Sequence, residues 1–107
     1  MRQRQFGLAL PILGLFATPA SAETVPFKCL ILPGAEVASI MMTNSLDRDG
    51  SCIVSCKFTT DKYANNPQIT CAKPVPAGKE VEMCLLSSAG DKLVKLTEGQ
   101  AECTKMK

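Results

Sequence analysis

The chain of 107 residues contains no histidine and no tryptophan. Without histidine, the commonest general base, the Ser-His and Cys-His nucleophile pairs and imidazole ligation of metals are all excluded. Aromatic side chains are scarce as well, since the chain has only four phenylalanines and one tyrosine. Large rings fill cores and stack on bases, so a chain this poor in them needs another source of stability and is a poor nucleic-acid binder.

Excess charge of either sign is also absent once the N-terminal segment is set aside. The formal net charge is +2, but Arg2 and Arg4 lie in the first 22 residues, which hold no acidic residue. The remaining ten Lys and Arg balance the ten Asp and Glu from Glu23 onward. Because a nucleic-acid surface needs clustered basic residues, no nucleic-acid partner is predicted.

The N-terminal segment, residues 1–22, has the layout of a secretory signal peptide. Two arginines precede an apolar stretch from Phe6 to Ala17, and Ala20-Ser21-Ala22 forms an A-x-A cleavage motif. This order of features is typical of export signals. The stretch is shorter than the roughly 20 residues that cross a bilayer, so no membrane span is predicted. We therefore expect residues 23–107 to form one mature domain that is periplasmic or secreted.

Cysteine is abundant, and all six cysteines follow the predicted cleavage site. An even number in a short exported chain predicts a disulfide framework, here of three bridges with fifteen alternative pairings. Each bridge stabilises a small domain by about 2–4 kcal/mol, which offsets a small core. The six are Cys29, Cys52, Cys56, Cys71, Cys84 and Cys103.

A second use of these cysteines remains as an alternative, namely a periplasmic redox or metal-handling protein. The chain has no C-x-x-C motif, and its cysteines are too widely spaced for a compact zinc knuckle. Thiols outside the cytoplasm normally oxidise, so structural bridges are the favoured interpretation. No cofactor is predicted.

Strand and turn signals alternate along residues 23–107 and predict an all-β fold, a small disulfide-stapled antiparallel β-sandwich or barrel-like domain. Residues 35–43 fit a strand or a helix equally well. The predicted strands are 25–32, 51–60, 68–73, 79–86, 92–97 and 101–104. The predicted turns and loops are 33–34, 44–50, 61–67, 74–78, 87–91 and 98–100.

Residues 51–60 show the clearest strand pattern, with Cys52, Val54, Cys56 and Phe58 on one face. Residues four apart in a strand are roughly 13 Å apart, so Cys52 and Cys56 are predicted not to bond each other.

Hairpin geometry suggests two alternative partners for Cys71. A turn at 61–66 places Cys71 opposite Cys56, whereas a turn at 74–79 places it opposite Cys84. Of the two we prefer Cys56–Cys71.

Two loops are candidates for binding, because loops of a rigid β-domain usually carry its function. Lys62 and Tyr63 lie at the tip of residues 61–66. Pro74, Pro76 and Lys79 belong to the second loop, where two prolines reduce the entropy lost on docking.

The function predicted from these features is a small, non-enzymatic binding module, such as an inhibitor, effector or accessory subunit. The chain has paired carboxylates but no nucleophile with a matching base, so no catalytic site is predicted. The predicted partner is a protein or ligand outside the cytoplasm.

Overall fold

The computed structural model describes residues 21–106. The predicted signal peptide lies outside the described residues except for Ser21 and Ala22, which are exposed and precede the first strand. Seven strands follow one another: β1 Glu23–Thr24, β2 Phe27–Ile31, β3 Val37–Thr43, β4 Gly50–Thr60, β5 Gln68–Val75, β6 Glu80–Ser87 and β7 Leu93–Lys105. The described part of the chain has no helix, and therefore none that could cross a membrane.

The strands form two antiparallel sheets, which confirms the predicted all-β fold as a sandwich. The four-stranded sheet has the order β1-β7-β4-β5, and the three-stranded sheet has the order β2-β3-β6. Residues 25–32 were predicted as one strand, but the chain crosses between the sheets at Val25 and Pro26. Proline has no N–H to donate to a ladder, which suits this crossing position.

The core lies between the sheets and follows the alternation that the sequence predicts for β4. Cys52, Val54, Cys56 and Phe58 are each at most 1% exposed. Apolar side chains of β3, the central strand of the other sheet, meet them and include Ala38, Ile40 and Met42, all 0% exposed. This inward alternation settles residues 35–43 as mainly strand.

Three disulfides join the six cysteines, as predicted, and leave none free. Cys29–Cys56 and Cys71–Cys84 each connect the two sheets, while Cys52–Cys103 joins adjacent strands β4 and β7. The prediction that Cys52 and Cys56 do not bond each other is confirmed.

The preferred pairing of Cys56 with Cys71 is wrong. β4 continues past the start of β5, and this shifts the hairpin register so that Ile69 lies opposite Cys56 and Val54 opposite Cys71. Cys71 bonds instead to Cys84 in β6, which belongs to the other sheet and is not its hairpin partner.

The predicted turn at residues 98–100 is also wrong, because β7 runs through it without interruption. Gly99 pairs with Cys56 and does not have a positive φ. A Cβ at this position would stand 2.7 Å from Cε2 of Phe27, closer than van der Waals contact allows. The close approach of the phenylalanine ring, and not a turn, therefore explains the glycine at this position.

Candidate functional site

The two candidate binding loops lie at opposite ends of β5 and cannot form one site. Lys62 and Tyr63 belong to the loop before β5, whereas Pro76 and Lys79 belong to the turn after it. Pro74 was predicted to belong to this turn, which is wrong, because it lies within β5 opposite Ser51. β5 is an edge strand, where a proline can be accommodated.

The turn at residues 76–79 is held against the loop at residues 44–49. Gly78 donates its N–H to the Asn44 carbonyl at 2.7 Å, and the Asn44 N–H bonds the Lys79 carbonyl at 2.9 Å. Ala77 donates its N–H to Oδ1 of Asp49 at 3.0 Å. These bonds already use the backbone donors that such a turn would offer to a ligand.

Asn44 anchors this end of the sandwich from within. Its side chain is 0% exposed, and Nδ2 donates to the carbonyls of Val75 at 2.8 Å and Arg48 at 3.0 Å. Its Oδ1 accepts the N–H of Leu46 at 2.9 Å. Its amide is thus bonded to backbone groups on three sides, which gives the buried Asn44 side chain a structural role.

Tyr63 is the feature that distinguishes the opposite end, because it is 99% exposed. Its loop is nevertheless ordered by Thr60, the last residue of β4, whose hydroxyl accepts the Lys62 N–H at 3.1 Å. The same hydroxyl lies 2.8 Å from the Asn65 carbonyl, and the Asn65 N–H bonds the Lys62 carbonyl at 2.8 Å. The loop backbone is thus hydrogen-bonded in place, while the Tyr63 ring is exposed to water.

The loop at residues 88–92 is bonded to the Tyr63 loop, and the loop at residues 32–36 is bonded in turn to residues 88–92. We call residues 32–36, 61–67 and 88–92 together the Tyr63 end. Asn65 donates Nδ2 to Oδ2 of Asp91 at 2.6 Å. The backbones of Asp61 and Lys92 meet through the Asp61 N–H and the Lys92 carbonyl at 2.9 Å. Lys92 then reaches Oε2 of Glu36 with its Nζ at 3.0 Å.

Two alanines at this end adopt the left-handed region, with φ of 58° at Ala35 and 62° at Ala89. This region is unfavourable for a residue with a Cβ, and such strain is concentrated at functional sites. Ser88, next to Ala89 in the chain, is 2% exposed, and its hydroxyl lies within hydrogen-bond distance of the carbonyls of Glu36 and Asp91. The surrounding bonds hold the strained backbone in place.

The Tyr63 end presents an aromatic ring, a phenol hydroxyl and charged side chains to solvent. An open concavity of about 360 Å³ lies beside the ring and is lined by Thr59, Thr60, Tyr63, Ala64 and Asn66. A phenol combines a large apolar surface with a hydroxyl, and tyrosine is among the residues enriched at energetically important positions of protein interfaces. The exposed charges of Asp61 and Lys62 flank it.

The structure assigns the cysteines to bridges, so the redox or metal-handling alternative has no thiolate to use in this state. Cys52, Cys56 and Cys103 are at most 1% exposed. Among residues 21–106, no three His, Cys, Asp or Glu side chains come together as metal ligands.

Sequence reasoning located the loop of Tyr63 but missed its association with residues 88–92, and through them with residues 32–36. Residues 33–34 and 87–91 carried turn signals only, and no local pattern says which turns meet in space. The sequence also contained no pattern that predicts a second concavity, of about 470 Å³. It lies beside an irregularity in β7 and is lined mainly by polar residues, Ser55, Lys57, Gln68, Thr97, Glu98 and Gln100 among them.

The chain matches no protein-family model, no curated protein and no solved structure.

Proposed function

We propose that the protein is a small, exported, non-enzymatic module that binds another protein outside the cytoplasm through its Tyr63 end. The observation that carries this proposal is a tyrosine left 99% exposed on a loop whose backbone is hydrogen-bonded in place. Leaving such a ring in water contributes nothing to the stability of the domain. Burying it against a partner gains free energy, with little loop entropy lost on docking.

The disulfides support the location outside the cytoplasm. Three bridges in a small all-β domain are typical of oxidising compartments, whereas cytosolic thiols are kept reduced. Export by the N-terminal segment would deliver the chain to such a compartment as a periplasmic or secreted protein.

The proposal is tested by photo-crosslinking from the two ends of the sandwich. A photoreactive amino acid replaces Lys62, beside the ring, in the oxidised protein, which is exposed to the extracytoplasmic fluid of its own source. We expect one discrete adduct to a protein. The Lys62 side chain is exposed and its loop contacts are made by backbone atoms, so the replacement leaves the fold unchanged.

The matched control places the same amino acid at Ala77, in the exposed turn at the opposite end. Adding Tyr63→Ala to the Lys62 variant should abolish the adduct, while Tyr63→Phe should retain it if the ring supplies the contact. Equal labelling from both ends, or an adduct indifferent to Tyr63→Ala, would show that the Tyr63 end is not the binding surface.

A further inference from the structure

The edge of the four-stranded sheet formed by β7 is open along most of its length. β1 covers β7 only at Glu102 and Cys103, and the N–H of Val25 bonds the Ala101 carbonyl. Within the described residues, no backbone group pairs with the outer edge of β7 from residue 94 to residue 100, and all seven residues are exposed. Unpaired backbone groups at a sheet edge are a template for pairing with another chain.

The backbone groups that face this edge can be identified from the pairing with β4. Phe58 donates its N–H to the Pro67 carbonyl, on the side of β4 away from β7, so its partner Leu96 also directs its N–H and carbonyl away from β4. Cys103 and Cys52 face each other with a Cα–Cα distance of 4.0 Å, typical of a pair without mutual hydrogen bonds. By alternation from Cys103, Gly99 also faces the open edge.

We propose that two copies of this chain associate through the open edge, pairing their β7 strands antiparallel with Leu96 of each opposite Gly99 of the other. Each such pair exchanges both of its N–H···O=C bonds. The pairing spans residues 95–100 and ends where Val25 occupies the Ala101 carbonyl. The two four-stranded sheets then form one continuous sheet.

The irregularity in β7 favours a second copy over an ordinary extended peptide. The register shift beside Phe58 leaves Thr97 without a partner of its own, so the edge-facing residues Leu96 and Gly99 are three positions apart. A regular strand presents edge-facing residues two positions apart. Another β7 strand carries the same extra residue and matches the spacing.

The charges on the outer face are also self-complementary. Lys95 lies opposite Thr59 and Glu98 opposite Lys57, so both point to the face opposite the buried Phe58. In the antiparallel pair, Lys95 of one copy lies diagonally across from Glu98 of the other, and symmetry repeats the contact. Opposite charges at such positions stabilise strand pairing.

The test is the oligomeric state of the oxidised protein, expressed from the full chain, measured by sedimentation equilibrium. Six residues from each copy bury less than the roughly 1,200 Å² of a stable interface, so a weak dimer with a Kd on the order of 0.1–1 mM is expected. Lys95→Glu and Glu98→Lys should each raise this Kd about tenfold, because each change makes two symmetric contacts repulsive. A mixture of the two variants should form a heterodimer at least as tight as the wild-type dimer.

The mixture distinguishes this pairing from other modes of association, since only contacts between residues 95 and 98 of different copies predict a heterodimer tighter than either variant's own dimer. Leu96→Pro, which removes an N–H facing the open edge, should also abolish association. The control is Leu85→Lys on the three-stranded sheet, where the side chain is 53% exposed and no effect is expected. Any of three results would overturn the proposal. The protein could remain monomeric up to about 2 mM, the mixture could associate no more tightly than either variant alone, or Leu85→Lys could abolish the dimer.

Discussion

Gly99 offers a quantitative test of how the strands pack, through the substitution Gly99→Ala. The new Cβ would stand 2.7 Å from Cε2 and 3.0 Å from Cζ of Phe27. Overpacking of this kind costs about 1–3 kcal/mol, while replacing glycine stabilises by about 0.4–1 kcal/mol through the unfolded chain. We expect a net loss of about 0.5–2 kcal/mol in the free energy of unfolding.

The physical cause can be isolated with the second substitution Phe27→Leu. Leucine removes the ring atoms that the added methyl group meets, so the double variant should be less destabilised than the sum of the single variants. We expect a coupling energy of about 1 kcal/mol or more, as found for residues in contact. A glycine required by a local turn would give additive effects instead.

The assay is urea unfolding with the disulfides intact, followed by far-ultraviolet circular dichroism. The chain has no tryptophan, and its one tyrosine is already 99% exposed, so fluorescence would report little. The matched control is Gly78→Ala, at a φ of 73° with no atom within 4 Å of the added Cβ. Gly78→Ala should destabilise through its backbone conformation alone, so its effect and that of Phe27→Leu should be additive. If the effects of Gly99→Ala and Phe27→Leu were additive as well, the packing explanation would be refuted.

Three further predictions follow from buried or bonded groups. Asn44→Ala should lower the free energy of unfolding by about 3 kcal/mol in urea titrations, since it leaves buried backbone groups without partners; a loss below about 0.5 kcal/mol would contradict this. Thr60→Val should speed hydrogen exchange in the Tyr63 loop and lower the free energy of unfolding by about 1–2 kcal/mol. Thr59→Val should do neither, and equal effects of the two substitutions would contradict the role of the Thr60 hydroxyl in holding the loop. In non-reducing tryptic maps, peptide 63–79 should be linked only to peptide 80–92, so a link from 63–79 to any other peptide would contradict the assigned bridges.

The parts of the fold that could be predicted are those decided by local alternation. Val54 and Phe58 are buried because residues two apart in a strand share a face, and that spacing can be counted in the sequence. The same spacing excluded a bridge between Cys52 and Cys56. Residues 35–43 stayed ambiguous because nine residues do not distinguish a buried strand from a buried helix.

The candidate site could be predicted only in part, for a related reason. Turn residues marked the loop that carries Tyr63, but the contacts of Asn65 with Asp91 and of Lys92 with Glu36 join residues far apart in the chain. Such contacts depend on which strand ends lie side by side. Exposure of Tyr63 also depends on which loops lie beside it.

By itself, the sequence determined that this protein is an all-β domain with a cysteine framework, because strand periodicity and cysteine number are local properties. Only the tertiary structure decided which cysteines bond, since that depends on how strands are divided between two sheets. It likewise decided that Gly99 serves the ring of Phe27, 72 positions earlier in the chain. Close approach between distant segments is a property of packing, and no pattern along the chain records it.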